Sequence, residues 1–341
     1  MNHKKQLIVS ILGVGAIVIG YGLHNHLVKV NAAKVEHAAA SPAYFPPGSI
    51  WTQDISHARL DPQSSTMIAW LADAGGWGHN NRVQVDFSLR VLQANANTRR
   101  VPFKGPANYV DSDQLSNFPL PDGGGAEGQT GYQCDINQND CHLIVVDRSQ
   151  GKLYEAYQAT LTENVLNAGF VAVWDLNRVY PPSGRGDQCT SGDAAGFPIA
   201  PLLFNADEIA AGSINHAIRF ILPNPRIRAH VFVHPATHAG APRGPIEAPP
   251  MGARFRLKSS FDMSQLTPAA QVVARAMQKY GMFLSDGGNI ALTAQNDADT
   301  KAKYADMDFG PRDLADLKVT DFEVVDMGTP IRLTDDCVRN K

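Results

Sequence analysis

The chain has 341 residues, of which 44% are hydrophobic and 18% are charged, and its formal net charge at pH 7 is −3. This is the composition of a globular protein with a substantial core, and the slight acidity provides no electrostatic surface for nucleic acids or anionic lipids. The 29 glycines and 22 prolines are spread along the chain, which favours short strands joined by turns over a helical bundle.

The N-terminus has the pattern of an export signal. Lys4 and Lys5 precede an uncharged, largely apolar run over residues 7–23, and small residues follow it. The run fits either a cleaved signal peptide or a membrane anchor, and in both cases the body lies outside the cytoplasm, in the periplasm or beyond. We expect three regions: the signal or anchor at 1–23, a flexible tether at 24–50, and a single β-rich domain at 51–341.

Export determines how the four cysteines are interpreted. In an oxidising compartment an even number of cysteines points to disulfide bonds. Cys134 and Cys141 are close enough in sequence to close a small loop, and elimination then pairs Cys189 with Cys337. A zinc site is the alternative, but neither a C-x-x-C pair nor a cysteine–histidine cluster occurs. We therefore predict two disulfides and no metal or other cofactor.

Three segments have the start and stop signals of helices. Each begins with a capping or helix-initiating residue and ends at a glycine. The start signals are Asp61 with Pro62, the capping-box pair Asn205 and Glu208, and Thr267 with Pro268, and the glycines are Gly75, Gly212 and Gly281.

Apolar alternation and β-branched runs predict strands along much of the remaining chain. Residues 142–161 have the pattern of a hairpin that turns at 149–151, whereas the polar, turn-rich stretch 93–133 is expected to lie outside the core. Many strands without intervening long helices predict a mainly β fold, an antiparallel β-sandwich or jelly roll with two or three short helices. The other predicted strands are 83–91, 168–176, 214–222, 230–234, 253–261, 281–288, 289–294 and 321–326.

The segment HVFVHPATHAG, residues 230–240, raises the question of a metal site. On a strand, His230 and His234 would lie about 13 Å apart at roughly 3.3 Å per residue, too far to share one zinc ion. His238 follows where the chain leaves the strand, at a corner of the kind where site residues often lie. His216 lies in or before another strand, where it either makes a structural hydrogen bond or acts as a general acid, a general base or an anchor for a substrate hydroxyl.

Two acidic residues are candidates for acid–base chemistry. Glu155 shares a strand face with apolar neighbours, where a carboxylate is unfavourable unless it is paired, with Arg148 or Arg219, or used in catalysis. Asp193 lies with Arg185 in a long polar loop, and a loop of that length is typically functional.

Three further residues are candidates for contact with a substrate. Trp174, beside Asp175, either stacks on a sugar ring or packs in the core. Glu208 and Asp286 also have simpler structural roles, as a helix cap and a turn residue.

Four stretches carry a resemblance: DAAGFPIAPLLFNADEIAAGSINHAIRFILPN, HPATHAG, PPMGARFRLKSSFD and ARAMQKYGMFLSDGGNIALTA. They resemble a family of exported bacterial proteins with no established activity, in which G-x-I-x-H-A-x-R-F precedes P-A-T-H. The similarity extends over most of residues 51–340. It implies, without assigning roles, that the family pattern includes Glu208, His216, His238, Tyr280 and Asp286.

Common catalytic signatures are absent from the sequence: it has no G-x-S-x-G elbow, H-E-x-x-H, P-loop or dinucleotide fingerprint. We expect a polysaccharide hydrolase or lyase, with a non-catalytic envelope or carbohydrate-binding protein as the alternative. A hydrolase would take its acid pair from Glu155, Asp175 and Asp193. A lyase would use His216 or His238 as base and Arg185 as the clamp for a uronate carboxylate. The predicted catalytic residues are thus His216, His238, Glu155 and Asp193, and the predicted substrate-binding residues are Arg185, Trp174, Glu208 and Asp286.

The expected partner is a polysaccharide, with no nucleic acid and with membrane contact only through the N-terminal segment. The enzyme hypothesis requires the four predicted catalytic residues to converge on one cleft.

Overall fold

Sheet is the main regular structure in the computed structural model, which describes residues 43–107 and 110–340. A mainly β fold with a few short helices is therefore confirmed for this part of the chain. The helices are α1 (Ser64–Asp73), α2 (Ala206–Ala210) and α3 (Pro268–Lys279). The strands are β1 (Val85–Leu89), β2 (Val91–Ala94), β3 (Arg100–Lys104), β4 (Asn117–Pro119), β5 (Leu143–Asp147), β6 (Lys152–Tyr157), β7 (Thr160–Thr162), β8 (Val165–Asn167), β9 (Phe170–Asp175), β10 (Ile218–Leu222), β11 (Val231–Phe232), β12 (Arg254–Leu257), β13 (Met282–Gly287), β14 (Leu292–Gln295), β15 (Phe322–Val325) and β16 (Ile331–Arg332).

The strands pair in both directions. The largest sheet has the order β1-β14-β10-β13-β12-β15, in which β1–β14 and β10–β13 are parallel. Two four-stranded sheets, β2-β5-β6-β9 and β4-β3-β8-β7, each contain one parallel pair, and β11 pairs with β16. The expected purely antiparallel pairing is therefore wrong. Parallel partners are joined by long crossovers, so no local hairpin signal in the sequence indicates them.

The sheet β2-β5-β6-β9 is buried on both faces. Ile144 and Val146 of β5 belong to the main core with the six-stranded sheet, whereas Leu143 and Val145 face a second apolar cluster. The predicted hairpin is confirmed, since β5 and β6 pair from Leu143 opposite Ala156 to Asp147 opposite Lys152. A strand covered on both faces has a continuous rather than alternating apolar sequence, as this hairpin does.

The polar stretch 93–133 is not wholly outside the core. Strands β3 and β4 lie within it, and Val101 and Phe118 are buried against the second cluster. The prediction that the whole stretch lies outside the core is therefore wrong for these strands. Their few buried side chains lie among many polar residues and so leave little periodic signal in the sequence.

Two helix starts agree with the sequence and one does not. Asn205 and Glu208 form the predicted capping box of α2, and the Thr267 side chain caps α3. Helix α1 begins later than predicted, at Ser64, because the Asp61 carboxylate accepts the N–H of Gln63 in a turn before the helix.

The predicted signal or anchor and most of the predicted tether lie outside the described residues. The tether prediction is wrong for its last part, because Phe45 is buried against Trp174 and Tyr180. Within the described ranges, no helix has the length and apolar character needed to cross a membrane.

Both predicted disulfides are confirmed. Cys134 is bonded to Cys141, and Cys189 to Cys337. The second bond fixes the C-terminal segment on the loop 183–190, where the main-chain N–H of Asn340 also donates to the carbonyl of Arg185. Two disulfides are consistent with an exported protein.

Candidate functional site

The predicted site residues fall into three separate places. Asp193, His238 and Asp286 line an open cleft of about 490 Å³, together with His142, Tyr157 and Asp140. Glu208 and His216 line a different cavity of only about 50 Å³. Glu155, Trp174 and Arg185 are buried and line neither of these spaces. The four predicted catalytic residues therefore do not converge on one cleft.

His216 pairs with the helix-capping carboxylate of Glu208. Its Nε2 lies 3.2 Å from Glu208 Oε1, and its Nδ1 donates to the carbonyl of Ala217 at 2.8 Å. Burial lowers the pKa of His216, but Glu208 and these hydrogen bonds outweigh burial and raise it. The cavity beside this pair is enclosed by Tyr44 and Phe45, so the pair lies behind the N-terminal part of the fold.

Glu155 is fully enclosed within sheet β2-β5-β6-β9. Its Oε1 accepts the main-chain N–H groups of Ile199 and Ala200, at 2.8 and 2.9 Å, and its Oε2 accepts the indole N–H of Trp174 at 3.0 Å. Burial raises the pKa of Glu155 to about 7 despite these donors. Glu155 and Trp174 thus connect β6 and β9 to the loop before α2, and neither faces the cleft.

Asp175 and Arg185 also lie away from the cleft. Asp175, at the end of β9, is paired with Lys152 at 2.9 Å. Arg185 is 3% exposed and donates to the carboxylate of Asp113 at 2.8 Å. The proposed uronate clamp is therefore wrong, because this guanidinium is enclosed beneath the C-terminal segment, where Arg339 shares the same carboxylate.

An ion pair between Asp193 and Arg219 lies beneath the cleft, and the sequence indicated only Asp193 as a site residue. Arg219 on β10 donates to Asp193 Oδ2 from Nε at 3.0 Å and from Nη2 at 2.7 Å, and to the Thr293 hydroxyl at 2.8 Å. Asp193 is fully buried, so its carboxylate is committed to this pair. The same Nη2 lies 3.8 Å from Asp286 Oδ2, and the Asp286 side chain is 31% exposed. Asp286 therefore presents a carboxyl group to the cleft above the buried pair.

A local irregularity directs Asp286 into this position. The pairing of β10 with β13 shifts between Phe220, opposite Leu284, and Ile221, opposite Asp286, so Ser285 is an extra residue in β13. Such bulges often re-aim a side chain beside a functional site. Burial raises the pKa of Asp286, and the charge of Arg219 opposes this only in part.

His142 forms part of one wall of the cleft and is paired with Glu127. His142 Nδ1 lies 2.7 Å from Glu127 Oε2, and its Nε2 lies 2.9 Å from the carbonyl of Gly192. Because both partners are acceptors, both ring nitrogens donate and the ring is an imidazolium. Burial lowers the pKa of His142, but Glu127 outweighs it and raises the pKa to about 9. Burial raises the pKa of Glu127, but His142 outweighs it and lowers the pKa to about 2.

The sequence did not single out His142 and Glu127. They lie 15 residues apart, on a strand start and in a glycine-rich turn, with no characteristic spacing. The position of His142 directly after Cys141 was the only feature of the sequence that pointed to it as a site residue.

Tyr157 and Asp140 also line the cleft. The Tyr157 ring packs on His142, with ring centroids 5.5 Å apart. Burial raises the pKa of Tyr157, and the charges of Asp140 and Asp286, which line the same cleft, raise it further. Asp140 is exposed to solvent, unlike Asp286.

His238 lies in the cleft, as its position at a corner of the chain predicted. Its Nδ1 is 3.0 Å from both the carbonyl of Ala194 and the N–H of Gly240, and its Nε2 is 3.6 Å from an exposed carboxylate oxygen of Asp335. The imidazole edge that bears Nε2 is the part able to contact a ligand.

The lining of the cleft is acidic. Among the described residues, no lysine or arginine lines it, whereas Asp140, Asp193 and Asp286 do. In the same part of the chain, no group of three or more histidine, cysteine, aspartate and glutamate side chains is arranged to hold a metal ion.

Comparison with protein-family models, curated proteins and solved structures finds no match for this chain. The chemistry of the cleft is therefore interpreted from its own geometry.

Proposed function

We propose that the protein is an exported glycoside hydrolase and that the cleft is its active site. Most glycoside hydrolases use two carboxyl groups, one protonated and one ionised, on either side of the scissile bond. The observation that supports this proposal is the contrast between two carboxyls that line one cleft with Tyr157: Asp286 is partly enclosed beside Arg219 and has a raised pKa, whereas Asp140 is exposed. Two carboxyls with different environments are the usual basis for separate acid and base roles.

In this mechanism Asp286 donates its proton to the leaving glycosidic oxygen. As the glycosidic bond breaks, Asp140 takes a proton from a water molecule, whose oxygen forms the new bond to the anomeric carbon, and Tyr157 contacts the reacting ring. Arg219 keeps Asp286 in place from below, and its charge is largely used by Asp193. His238 contributes a hydrogen bond to a sugar hydroxyl.

The charge of the lining favours a hydrolase over a lyase. A lyase acting on uronates needs a cation to neutralise the substrate carboxylate. No arginine or lysine among the described residues lines the cleft, and the imidazolium of His142 is already paired with Glu127. The exposed carboxylate of Asp140 would instead repel a uronate. We therefore propose a neutral or amino-sugar polysaccharide as substrate. The two disulfides support a location outside the cytoplasm.

The experiment is a screen of soluble polysaccharides with the purified protein. Reducing ends are measured on neutral, amino-sugar and uronate substrates, together with absorbance at 235 nm, which detects the unsaturated product of a lyase. We expect reducing ends from a neutral or amino-sugar substrate with no absorbance change. A 235 nm signal from a uronate would contradict the hydrolase proposal.

Variants connect the activity to the cleft. Asp286→Asn is expected to lower the rate about 100-fold or more, the usual contribution of a general acid. Asp262→Asn is the matched control, because this aspartate is solvent-exposed and does not line the cleft. Equal activity of the two variants would remove Asp286 from the mechanism. Glycan binding without any cleavage would favour the alternative, a non-catalytic carbohydrate-binding protein.

A further inference from the structure

A second open hollow, which we call the loop pocket, continues the cleft. Its volume is about 600 Å³, and its main wall is the loop 135–140 that the Cys134–Cys141 disulfide closes. Asp140, Tyr157 and Gln158 line both spaces. Each space is within the range of about 300–1,000 Å³ that holds a drug-sized ligand. Because the two spaces share these residues they adjoin, and the proposed catalytic Asp140 lies at their boundary.

The loop pocket is rich in side-chain amides that are not used by the fold. Within the described residues, the amide groups of Gln129, Gln138 and Gln158 line it without making a side-chain hydrogen bond to the protein. A side-chain amide offers two donors and an acceptor, which suits the paired hydroxyls or the acetamido group of a sugar. Ile136 is 38% exposed in the same wall and provides an apolar contact for the C–H face of a ring.

The wall that carries these amides is held in a fixed shape. The carbonyl of Asp135 accepts the N–H groups of Gln138 and Asn139, both at 3.1 Å, and Gln158 donates its main-chain N–H to the carbonyl of Asp140 at 2.9 Å. With the disulfide, these bonds join the loop to the end of β6. A preformed wall lowers the entropy lost when a ligand binds.

The charge of the loop pocket disfavours anionic ligands. Its ionisable lining groups are Glu127, Asp140 and Tyr157, and the charge of Glu127 is balanced by His142 at 2.7 Å. No lysine or arginine in the described part of the chain lines it. An anionic sugar would therefore meet the charge of Asp140 with no compensating cation.

We propose that the loop pocket is a binding subsite for uncharged hexose or N-acetylhexosamine residues of a chain that continues through the cleft. This inference extends the proposed function and rests on it, because the proposed catalytic carboxyls define how the sugar chain runs from the loop pocket into the cleft. It identifies the substrate as an oligosaccharide long enough to occupy both spaces, recognised on one side of the scissile bond by amides.

The test measures binding of defined oligosaccharides by isothermal titration calorimetry. The probes are cellohexaose, mannohexaose and N-acetylated chitohexaose, the corresponding disaccharides, and hexagalacturonate as the charged comparison. All are titrated into Asp286→Asn protein, so that cleavage does not interfere. We expect one uncharged hexasaccharide to bind more tightly than its disaccharide and more tightly than hexagalacturonate.

The double variant Gln129→Ala/Gln138→Ala, in the same background, is expected to weaken hexasaccharide binding about tenfold or more, since two neutral hydrogen bonds are lost. Disaccharide binding should change less. Gln265→Ala is the matched control, because this exposed glutamine lies outside both spaces. Melting temperatures confirm that the variants are folded.

The outcomes separate this inference from the proposed function. Equal hexasaccharide affinity in the double variant and the control, tighter binding of hexagalacturonate, or no binding of any hexasaccharide overturns the subsite. Cleavage of a polysaccharide by the wild-type protein would still support the hydrolase in those cases. Amide-dependent binding without cleavage by the wild-type protein would instead support the subsite and contradict the hydrolase.

Discussion

The pair of His142 and Glu127 makes the stability of this protein depend on pH in a defined way. The variant Glu127→Gln keeps the shape of the side chain and removes its charge. It leaves the imidazolium, which is 11% exposed, next to a neutral amide instead of a carboxylate at 2.7 Å. We expect the variant to be less stable than the wild type only where the wild-type pair is ionised.

The size of the effect follows from the pKa of either partner. A His142 pKa raised from 6.5 to about 9 corresponds to about 3 kcal/mol of preference for the imidazolium in the folded state. The Glu127 pKa, lowered from 4.5 to about 2, describes the same interaction and is not added to this figure. Since the introduced glutamine side chain can still accept a hydrogen bond, we expect the variant to lose about 2–3 kcal/mol.

The pH window follows from the directions of the two shifts. The raised His142 pKa stabilises the fold fully below about 6.5, and this contribution is lost as the pH rises through about 9. The lowered Glu127 pKa stabilises the fold fully above about 4.5, and this contribution is lost as the pH falls through about 2. The difference between wild type and variant is therefore largest between pH 4.5 and 6.5.

The assay is urea unfolding followed by tryptophan fluorescence, at half-unit intervals from pH 4 to 9.5. The exposed Glu247→Gln serves as the control for loss of a carboxylate. A difference in unfolding free energy between wild type and Glu127→Gln that is the same at pH 5.5 and pH 9.5 would refute the ionised pair.

Three further changes test the buried interactions. Asp193→Asn is expected to lower the free energy of unfolding by about 3–5 kcal/mol, because the buried Arg219 loses its closest ionic partner. A loss below about 1 kcal/mol in urea unfolding would contradict this. Replacing Cys189 and Cys337 by alanine should remove about 4–5 kcal/mol, since their bond spans 148 residues of chain, and an unchanged melting temperature would argue against that estimate. The raised pKa of Glu155 makes the wild-type fold lose stability as the pH rises from 4.5 to above 7. A glutamine at this position does not titrate. The unfolding free energy of Glu155→Gln should therefore rise by about 3 kcal/mol relative to that of the wild type over the same range. Calorimetry that gives the same difference between the two proteins at pH 4.5 and pH 8 would mean that the Glu155 pKa is not raised.

Signals in the sequence predicted the local features well because those features depend on neighbouring residues. The capping box of α2, the β5–β6 hairpin and the corner at His238 each involve residues close together in the chain. Both disulfides also follow from the number and spacing of the cysteines once export is assumed.

The candidate site could be predicted only in part because its contacts join distant segments. The register of β10 and β13 brings Arg219 close to Asp286, a one-residue bulge directs Asp286 into the cleft, and Asp193 reaches Arg219 from the loop before α2. No local pattern distinguishes these carboxyl groups from that of Glu155, which is enclosed by three N–H donors.

The sequence by itself determined the β-rich class, the caps of α2 and α3, the disulfide pairs and the corner position of His238, because composition and short-range spacing carry that information. Only the tertiary structure decided which strands are parallel, which carboxyl faces solvent, and that His142 belongs beside Tyr157. The physical reason is that burial and long-range pairing set the charge and accessibility of an ionisable group, and neither is a property of its neighbours in sequence.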